Sequence, residues 1–329
     1  MAETPISPPG PGTPGTRPRH FRIVERALTR LKLKQLRLLV AVAEQSSILH
    51  AARQLNMSQP AATKLIKDLE ADFGVDLFER TNRGVIPTIY GEALARHGKL
   101  IFAQISHAAQ ELDDLSDGSG GRVVVGTLLA ASAILLPRTI RQVLAAKPNL
   151  SIKIQEGTNE VLMPMLRSGE VDLVVGRLPT HRHRDELLQE RLYDEKIIVV
   201  TRAGHPLEKR RRVTLKELMD WGWILPPQET TLRRQIDEVF LDQGISSPPR
   251  VVESVSFLAN RSLLMSSDMI GILPGHVVEH DIAAGTLATI NWPVPIPIGP
   301  VGVSYRQSKG LSPAAGLFLE ELRRVAGQL

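Results

Sequence analysis

Residues Ser47 to Glu70 read SILHAARQLNMSQPAATKLIKDLE, and this stretch decides how the chain is read. Leu49, Ala52 and Leu55 recur at helical spacing before the break, and Leu65, Ile66 and Leu69 recur after it. Asn56-Met57-Ser58 interrupts the pattern. Asn56 tolerates a left-handed turn, and Ser58 is a residue type that caps a following helix. Pro60 falls in the first turn of the second helix, where a missing N–H costs nothing. Two short helices joined by a tight turn follow. The second opens with Ser58, Gln59, Pro60, Thr63 and Lys64: short donors and acceptors, one ring the size of a thymine methyl contact, and one cation. A helix that reads a DNA major groove presents such a set at its N-terminal end.

The plainer alternative is a helical hairpin with a polar outer face. The run DLFERTNRGVIPT, Asp76 to Thr88, weighs against it. Leu77, Phe78, Val85 and Ile86 can pin a β-wing to the helices. Arg80, Asn82, Arg83 and Gly84 form its tip, with Arg83 in reach of a phosphate or the minor groove. In these residues the chain resembles the LysR-type transcriptional regulators. The resemblance runs from Leu33-Lys34-Gln35-Leu36 through Ala51-Ala52-Arg53-Gln54-Leu55, Ser58-Gln59-Pro60-Ala61 and Leu69-Glu70 to Leu77-Phe78-Glu79-Arg80 and Gly91. It covers the first third of the chain. From Arg122 onward the chain is also similar to the branch of that family that includes galactose-binding-protein regulators. The resemblance implies that Gln59, Pro60, Thr63 and Lys64 touch base edges, and that Arg53, Ser58, Lys67 and Arg83 touch phosphates. It also implies a dimer of dimers that bends DNA.

Length and composition agree with more than one domain and a sizeable core: 329 residues, 43% of them hydrophobic. With no cysteine there is neither a disulfide nor a cysteine-ligated metal site. No uncharged apolar run of about eighteen residues predicts a membrane helix. Residues 1–16 are rich in Pro and Gly, lack the apolar middle of a signal peptide, and are expected to be a disordered leader of a cytoplasmic protein. Residues 17–32 hold six basic residues (Arg17, Arg19, Arg22, Arg26, Arg30 and Lys32) against one acid, Glu25. This arm is either an electrostatic footprint beside the reading head or a solvated tail. Phe21, Val24, Leu28 and Leu31 are spaced for a short amphipathic helix within it.

The expected organisation is α/β. A winged helix-turn-helix over residues 33–92 leads through a linker helix and hinge over 90–121 to an effector-binding domain over 122–329. In the first helix of the head, Leu36, Leu39, Val40 and Ala43 face inward. In the linker, Leu94, Ile101, Ile105, Ala108, Leu112 and Leu115 form a coiled-coil seam. Such a seam needs a partner helix, so the chain should form a homodimer and, by the resemblance, a homotetramer. The alternative is packing of that seam within its own domain.

From Arg122 short apolar strands alternate with helices, including a predicted helix over 130–146. This rhythm implies a parallel or mixed sheet with right-handed crossovers. The resemblance implies two α/β subdomains like those of type 2 periplasmic binding proteins. Subdomain I takes residues 122–200 and 293–329, and subdomain II takes 201–292, with crossings near Thr201 and Trp292.

In such a fold a ligand sits between subdomains, at strand ends and helix N-termini. Four places qualify: Thr127-Leu128-Leu129-Ala130, Thr158-Asn159, Arg177, and Thr230-Thr231. Ser254, Ser256 and the turn Gly271 to Pro274 are candidates for the far wall. Relatives often place hydroxyls after the first strand, where this chain has Leu128 and Ala130. An organic effector with an apolar part, a carboxylate or a sugar-related compound, fits better than an inorganic anion. Arg177 is placed to grip a carboxylate with two prongs. The duller roles are helix capping for Thr158, Thr230 and Thr231, and a surface ion pair for Arg177.

Other signals lead nowhere. His181-Arg182-His183-Arg184 lacks an acidic ligand set. Lys209-Arg210-Arg211-Arg212 reads as an exposed turn, and Trp221 and Trp223 read as core. No nucleophile elbow, metal set or other catalytic constellation appears, and no cofactor is implied. The expectation is a DNA-binding transcription regulator, not an enzyme, acting on double-stranded DNA and a small organic effector, away from membranes. The competing expectation is a small-molecule binding protein whose N-terminal helices serve only oligomerisation.

Overall fold

A computed structural model describes residues 29–81, 84–117, 120–179, 187–245, 248–296, 299–307 and 311–329. The leader, the arm ahead of residue 29 with its expected short helix, Arg83, and His181 to Arg184 lie outside the described residues. The chain divides into two compact units, Met1–Lys99 and Leu100–Leu329.

In the first unit, α1 (Leu33–Gln45), α2 (Ile48–Gln54) and α3 (Gln59–Phe73) precede the antiparallel ribbon of β1 (Phe78–Thr81) and β2 (Gly84–Pro87). Leu36, Leu38, Leu39, Val42, Ala51, Ala52, Ala62, Ile66 and Leu69 form the core. Val40 and Ala43 are half-buried rather than central. Val40 instead faces Gly98 on α4 (Ile89–Asp117), so α1 is rotated by part of a turn from the expected face. Asn56 takes the left-handed conformation, φ 52°, that turns α2 into α3.

The wing is tied to α3 through one carboxylate. Glu70 Oε1 accepts from the backbone N–H groups of Leu77 (2.9 Å) and Phe78 (3.3 Å). The Val85 N–H donates to the Ser46 carbonyl at the end of α1. At Gly91 a Cβ would stand 2.0 Å from the Leu77 carbonyl oxygen, so only glycine lets α4 leave this close to the wing.

The second unit holds two five-stranded mixed sheets. Lobe I orders its strands β4 (Ser151–Glu156), β3 (Arg122–Thr127), β5 (Leu173–Arg177), β12 (Val301–Arg306), β6 (Leu187–Tyr193). β3, β4 and β5 run parallel, and β12 runs antiparallel to both of its neighbours. α6 (Leu135–Ala146) and α12 (Pro313–Ala326) pack Leu135, Val143, Phe318 and Leu322 onto Val123, Val125 and Val303. On the other face, α7 (Asn159–Ser168) contributes Leu162, Met163 and Leu166.

Lobe II orders its strands β11 (Leu287–Ile290), β7 (Ile197–Arg202), β10 (Ile270–Pro274), β8 (Trp223–Leu225), β9 (Val251–Glu253). Its remaining helices are α8 (Leu215–Leu218), α9 (Thr231–Asp242), α10 (Phe257–Ser266) and α11 (Gly275–Ala283). Trp223 lies edge-on to Phe240, with ring centroids 5.4 Å apart, and donates its indole N–H to the Leu218 carbonyl. Trp221 is half-buried against His205.

Two sequence expectations are corrected here. The helix expected over 130–146 is two helices, α5 (Leu129–Ser132) and α6. Ile134 leaves the helical region between them, at φ −125° and ψ −57°. Pro137 then sits in the first turn of α6, where no helical acceptor awaits an N–H. The crossing expected near Thr201 falls earlier. All of β7 pairs with β10 and β11, so the chain passes between lobes at residues 194–196, and its return lies after β11 and before β12. No helix among the described residues is long and apolar enough to cross a membrane.

Candidate nucleic-acid interface and ligand cleft

α3 divides its residues cleanly. Ala62, Ile66 and Leu69 are buried, while Ser58, Gln59, Pro60, Lys64 and Lys67 are exposed and Thr63 is half-buried. One face therefore holds the helix in the core and the other offers amide, ring, hydroxyl and ammonium groups at the N-terminal end. Arg53, at the end of α2, is exposed as well. Ser58 stands at the N-cap in extended conformation, yet its side chain makes no cap hydrogen bond, contrary to expectation. The cap of this motif that does form is one helix earlier, where Ser47 Oγ accepts from the His50 N–H at 3.3 Å.

Beyond the wing, α4 spans 29 residues. Leu94 is half-buried, whereas Ile101, Ile105, Ala108 and Leu112 are exposed along its length. An exposed apolar row of this kind marks a surface that another element covers.

In the second unit a cavity of about 500 Å³ opens between the lobes. Leu128, Ala130, Thr158, Arg177, Thr230, Thr231 and Ser256 all line it, as do Ser254, Ile272, Leu273 and Pro274 from the expected far wall. Thr127 does not. Its side chain is turned into lobe I, 2% exposed, with Oγ1 donating to the Leu128 carbonyl. Alternation along β3 sends that side chain away from the cleft. Thr230 and Ser256 cap α9 and α10 by accepting from the N–H groups of Arg233 and Ala259. Thr158 makes no such bond, and Thr231 Oγ1 accepts from Arg234.

Arg177 is neither a surface ion pair nor free for a two-pronged grip. It is 7% exposed, and its Nη1 donates to the Gly299 carbonyl at 2.7 Å. Its Nη2 lies 3.7 Å from Glu195 Oε2 and makes no hydrogen bond. Sequence reading missed the group around it. Glu195, in the first crossing, is 6% exposed and has neither carboxylate oxygen hydrogen-bonded. His276 Nδ1, on α11, is 3.6 Å from Glu195 Oε1, and the Tyr193 ring lies 5.8 Å from the His276 ring. Burial pushes the Glu195 carboxyl up to about 7, against the opposing pull of Arg177 and the His276 N–H. Burial and the Glu195 charge raise the Tyr193 phenol. In sequence, Tyr193-Asp194-Glu195-Lys196 reads as a solvated charged turn, so nothing marked Glu195 as buried.

Two amides also line the cleft: Asn159 at the start of α7, which the sequence placed there beside Thr158, and Asn260 in α10, which it did not. Both are buried. Asn159 Nδ2 donates to the Arg177 carbonyl at 3.2 Å, and Asn260 Nδ2 donates to the Ser254 carbonyl at 3.5 Å. Neither amide oxygen has a partner. Asn159 had a signal in its place after Gly157 and Thr158, whereas Asn260 sits unmarked in an apolar helix.

Residues 33–92 match the family described as bacterial regulatory helix-turn-helix protein, lysR family, and residues 116–327 match the LysR substrate binding domain. Among curated relatives, the chain is 34% identical over 298 residues to the HTH-type transcriptional regulator GbpR of Azospirillum brasilense, covering 90% of this chain and 87% of the relative. It is 34% identical over 300 residues to the HTH-type transcriptional regulator PcaQ of Agrobacterium fabrum, covering 91% and 96%. Among solved structures, it resembles a full-length OxyR variant from Pseudomonas aeruginosa, at 25% identity and TM-score 0.60 over 90% of this chain and 95% of that one. The LysR family regulator CbnR shares the fold at 22% identity and TM-score 0.61, over 90% and 99%.

Proposed function

Because the chain belongs to the LysR family of DNA-binding transcription regulators with an effector-binding domain, we propose how its own residues divide that work. α3 enters the major groove. Gln59, Pro60, Thr63 and Lys64 meet base edges, and Arg53, Ser58, Lys67 and Arg83 meet phosphates. The observation that carries this reading is the exposed polar face of α3, set opposite the buried row Ala62, Ile66 and Leu69. Two heads are held by pairing of α4 along Ile101, Ile105 and Leu112, whose exposure in one chain supports a mate helix, and two dimers form a tetramer. A small organic effector, a carboxylate or a sugar-related compound, occupies the cleft between lobes I and II. By binding one arrangement of the lobes better than another, it shifts the spacing of the heads on DNA.

The test is binding of promoter fragments across salt concentration. Neutralising about six phosphates makes affinity fall roughly a thousandfold between about 50 and 200 mM salt. Lys64→Ala loses about 1–3 kcal/mol at the preferred site and discriminates less between sequences. A head used only for oligomerisation shows no DNA affinity at any salt concentration, and that result removes the proposal.

A further inference from the structure

Two buried amides line the cleft from different lobes. Asn159 belongs to lobe I and Asn260 to lobe II, 6% and 3% exposed. Each amide is oriented by donating its NH2 to a backbone carbonyl, so each presents an acceptor oxygen without a partner. Buried acceptors are almost always satisfied, and leaving one unmade costs more than an ordinary bond gains. The matching ligand group is therefore a donor. Charge argues the same way. The ionisable side chains lining the cavity are Glu156, Glu160 and Arg177, and the Arg177 guanidinium already faces Glu195 and holds Gly299. A ligand carboxylate would meet two carboxylates and one cation that is already committed. A hydroxyl suits both kinds of group, since it donates to an amide oxygen and accepts from Arg177 Nη2. Leu128, Leu225, Phe257 and Leu273 supply apolar walls for a ring.

We propose that the cleft takes a neutral, ring-sized organic molecule bearing at least two hydroxyl groups, one donating to Asn159 Oδ1 and another to Asn260 Oδ1. The two bonds bridge the lobes, so the ligand draws them together. This rests on the reading of the cleft as the effector site and narrows its ligand.

The experiment uses the full-length protein. Thermal shift followed by calorimetry is run with myo-inositol, monosaccharides and benzenediols, with their O-methyl ethers, and with benzoate and cyclohexanecarboxylate as hydroxyl-free carboxylates. A hydroxylated neutral ring stabilises the protein. Methylating its hydroxyls weakens binding about three- to tenfold per lost bond, and Asn260→Leu weakens the unmethylated ligand by a similar factor. Methylation costs the Asn260→Leu variant correspondingly less. The parent protein with the methyl ethers decides the matter even if the variant misfolds. Methyl ethers that bind the parent within about twofold of the free hydroxyls overturn the proposal. Stabilisation by the hydroxyl-free carboxylates alone also overturns it, while leaving the cleft as effector site. If no compound binds, the proposal fails, and the DNA-binding reading still stands or falls on the salt titration.

Discussion

Replacing Glu195 by Gln should flatten part of the protein's pH–stability curve. The carboxyl ionises near 4.5 when the chain is unfolded and near 7 in the folded protein, where its side chain is 1% exposed. Between those values the folded protein holds a proton that the unfolded chain has released. Stability is therefore full on the acid side, falls as pH rises from about 4.5 to about 7, and levels off above. A shift of that size is worth roughly 3 kcal/mol at full extent. Arg177 and the His276 N–H already offset part of the burial penalty within that figure. Glutamine resembles the protonated acid in size and in net charge. The variant should match the parent at about pH 4 and exceed it by roughly 3 kcal/mol at about pH 8. All three tryptophans, Trp221, Trp223 and Trp292, lie in the second unit, so their fluorescence in a urea titration reports its unfolding directly. Subtracting variant from parent at each pH removes the titration of every other group. A variant less stable than the parent at about pH 8 would mean that the Glu195–Arg177 pair is a net stabilising contact, and the reasoning from burial would be refuted.

Three other outcomes follow from the packing. Glu70→Ala removes the acceptor for the Leu77 and Phe78 N–H groups and should cost about 1.5–3 kcal/mol in thermal unfolding of the head, with weaker DNA binding through a loosened wing. Gly91→Ala places a methyl against the Leu77 carbonyl, so its head should melt earlier than the parent's even though alanine is the better helix former; an unchanged melting temperature would contradict the contact. Arg233 is 3% exposed and bonds to Asp237, Glu253 and the Pro226 carbonyl, and the two carboxylates stay solvated without it, so Arg233→Ala should destabilise lobe II by about 1.5–3 kcal/mol in the same fluorescence titration.

The head was legible because its signals are local. Asn56 at a turn, Pro60 in a first turn and Leu69 three residues after Ile66 each fix backbone or face without help from distant parts. The second unit was legible where strands are buried on both faces, as at Leu173–Arg177 and Ile270–Pro274. The signal is weaker in β6, at the edge of its sheet. In β6, Leu187–Tyr193, Gln189, Glu190 and Arg191 break the apolar run because an edge strand tolerates charge. In the cleft, Thr127 was misplaced because the lining begins one residue later, at Leu128. Glu195 and Asn260 were invisible because their burial is made by packing from remote segments. Arg177 meets Glu195 from eighteen positions away, and Gly299 reaches Arg177 across 122.

One glycine governs the cleft from behind. Gly176 has φ +153°, and a Cβ there would fall 2.5 Å from the Cβ of Leu128. Gly176 is not among the residues that touch the cavity, while Leu128 is. The depth of the chamber is thus held by a missing methyl in the wall's backing. Any larger residue at that position would have to displace Leu128 and hold a backbone conformation that side chains rarely allow, so the shape of the chamber hangs on a position no guest ever meets.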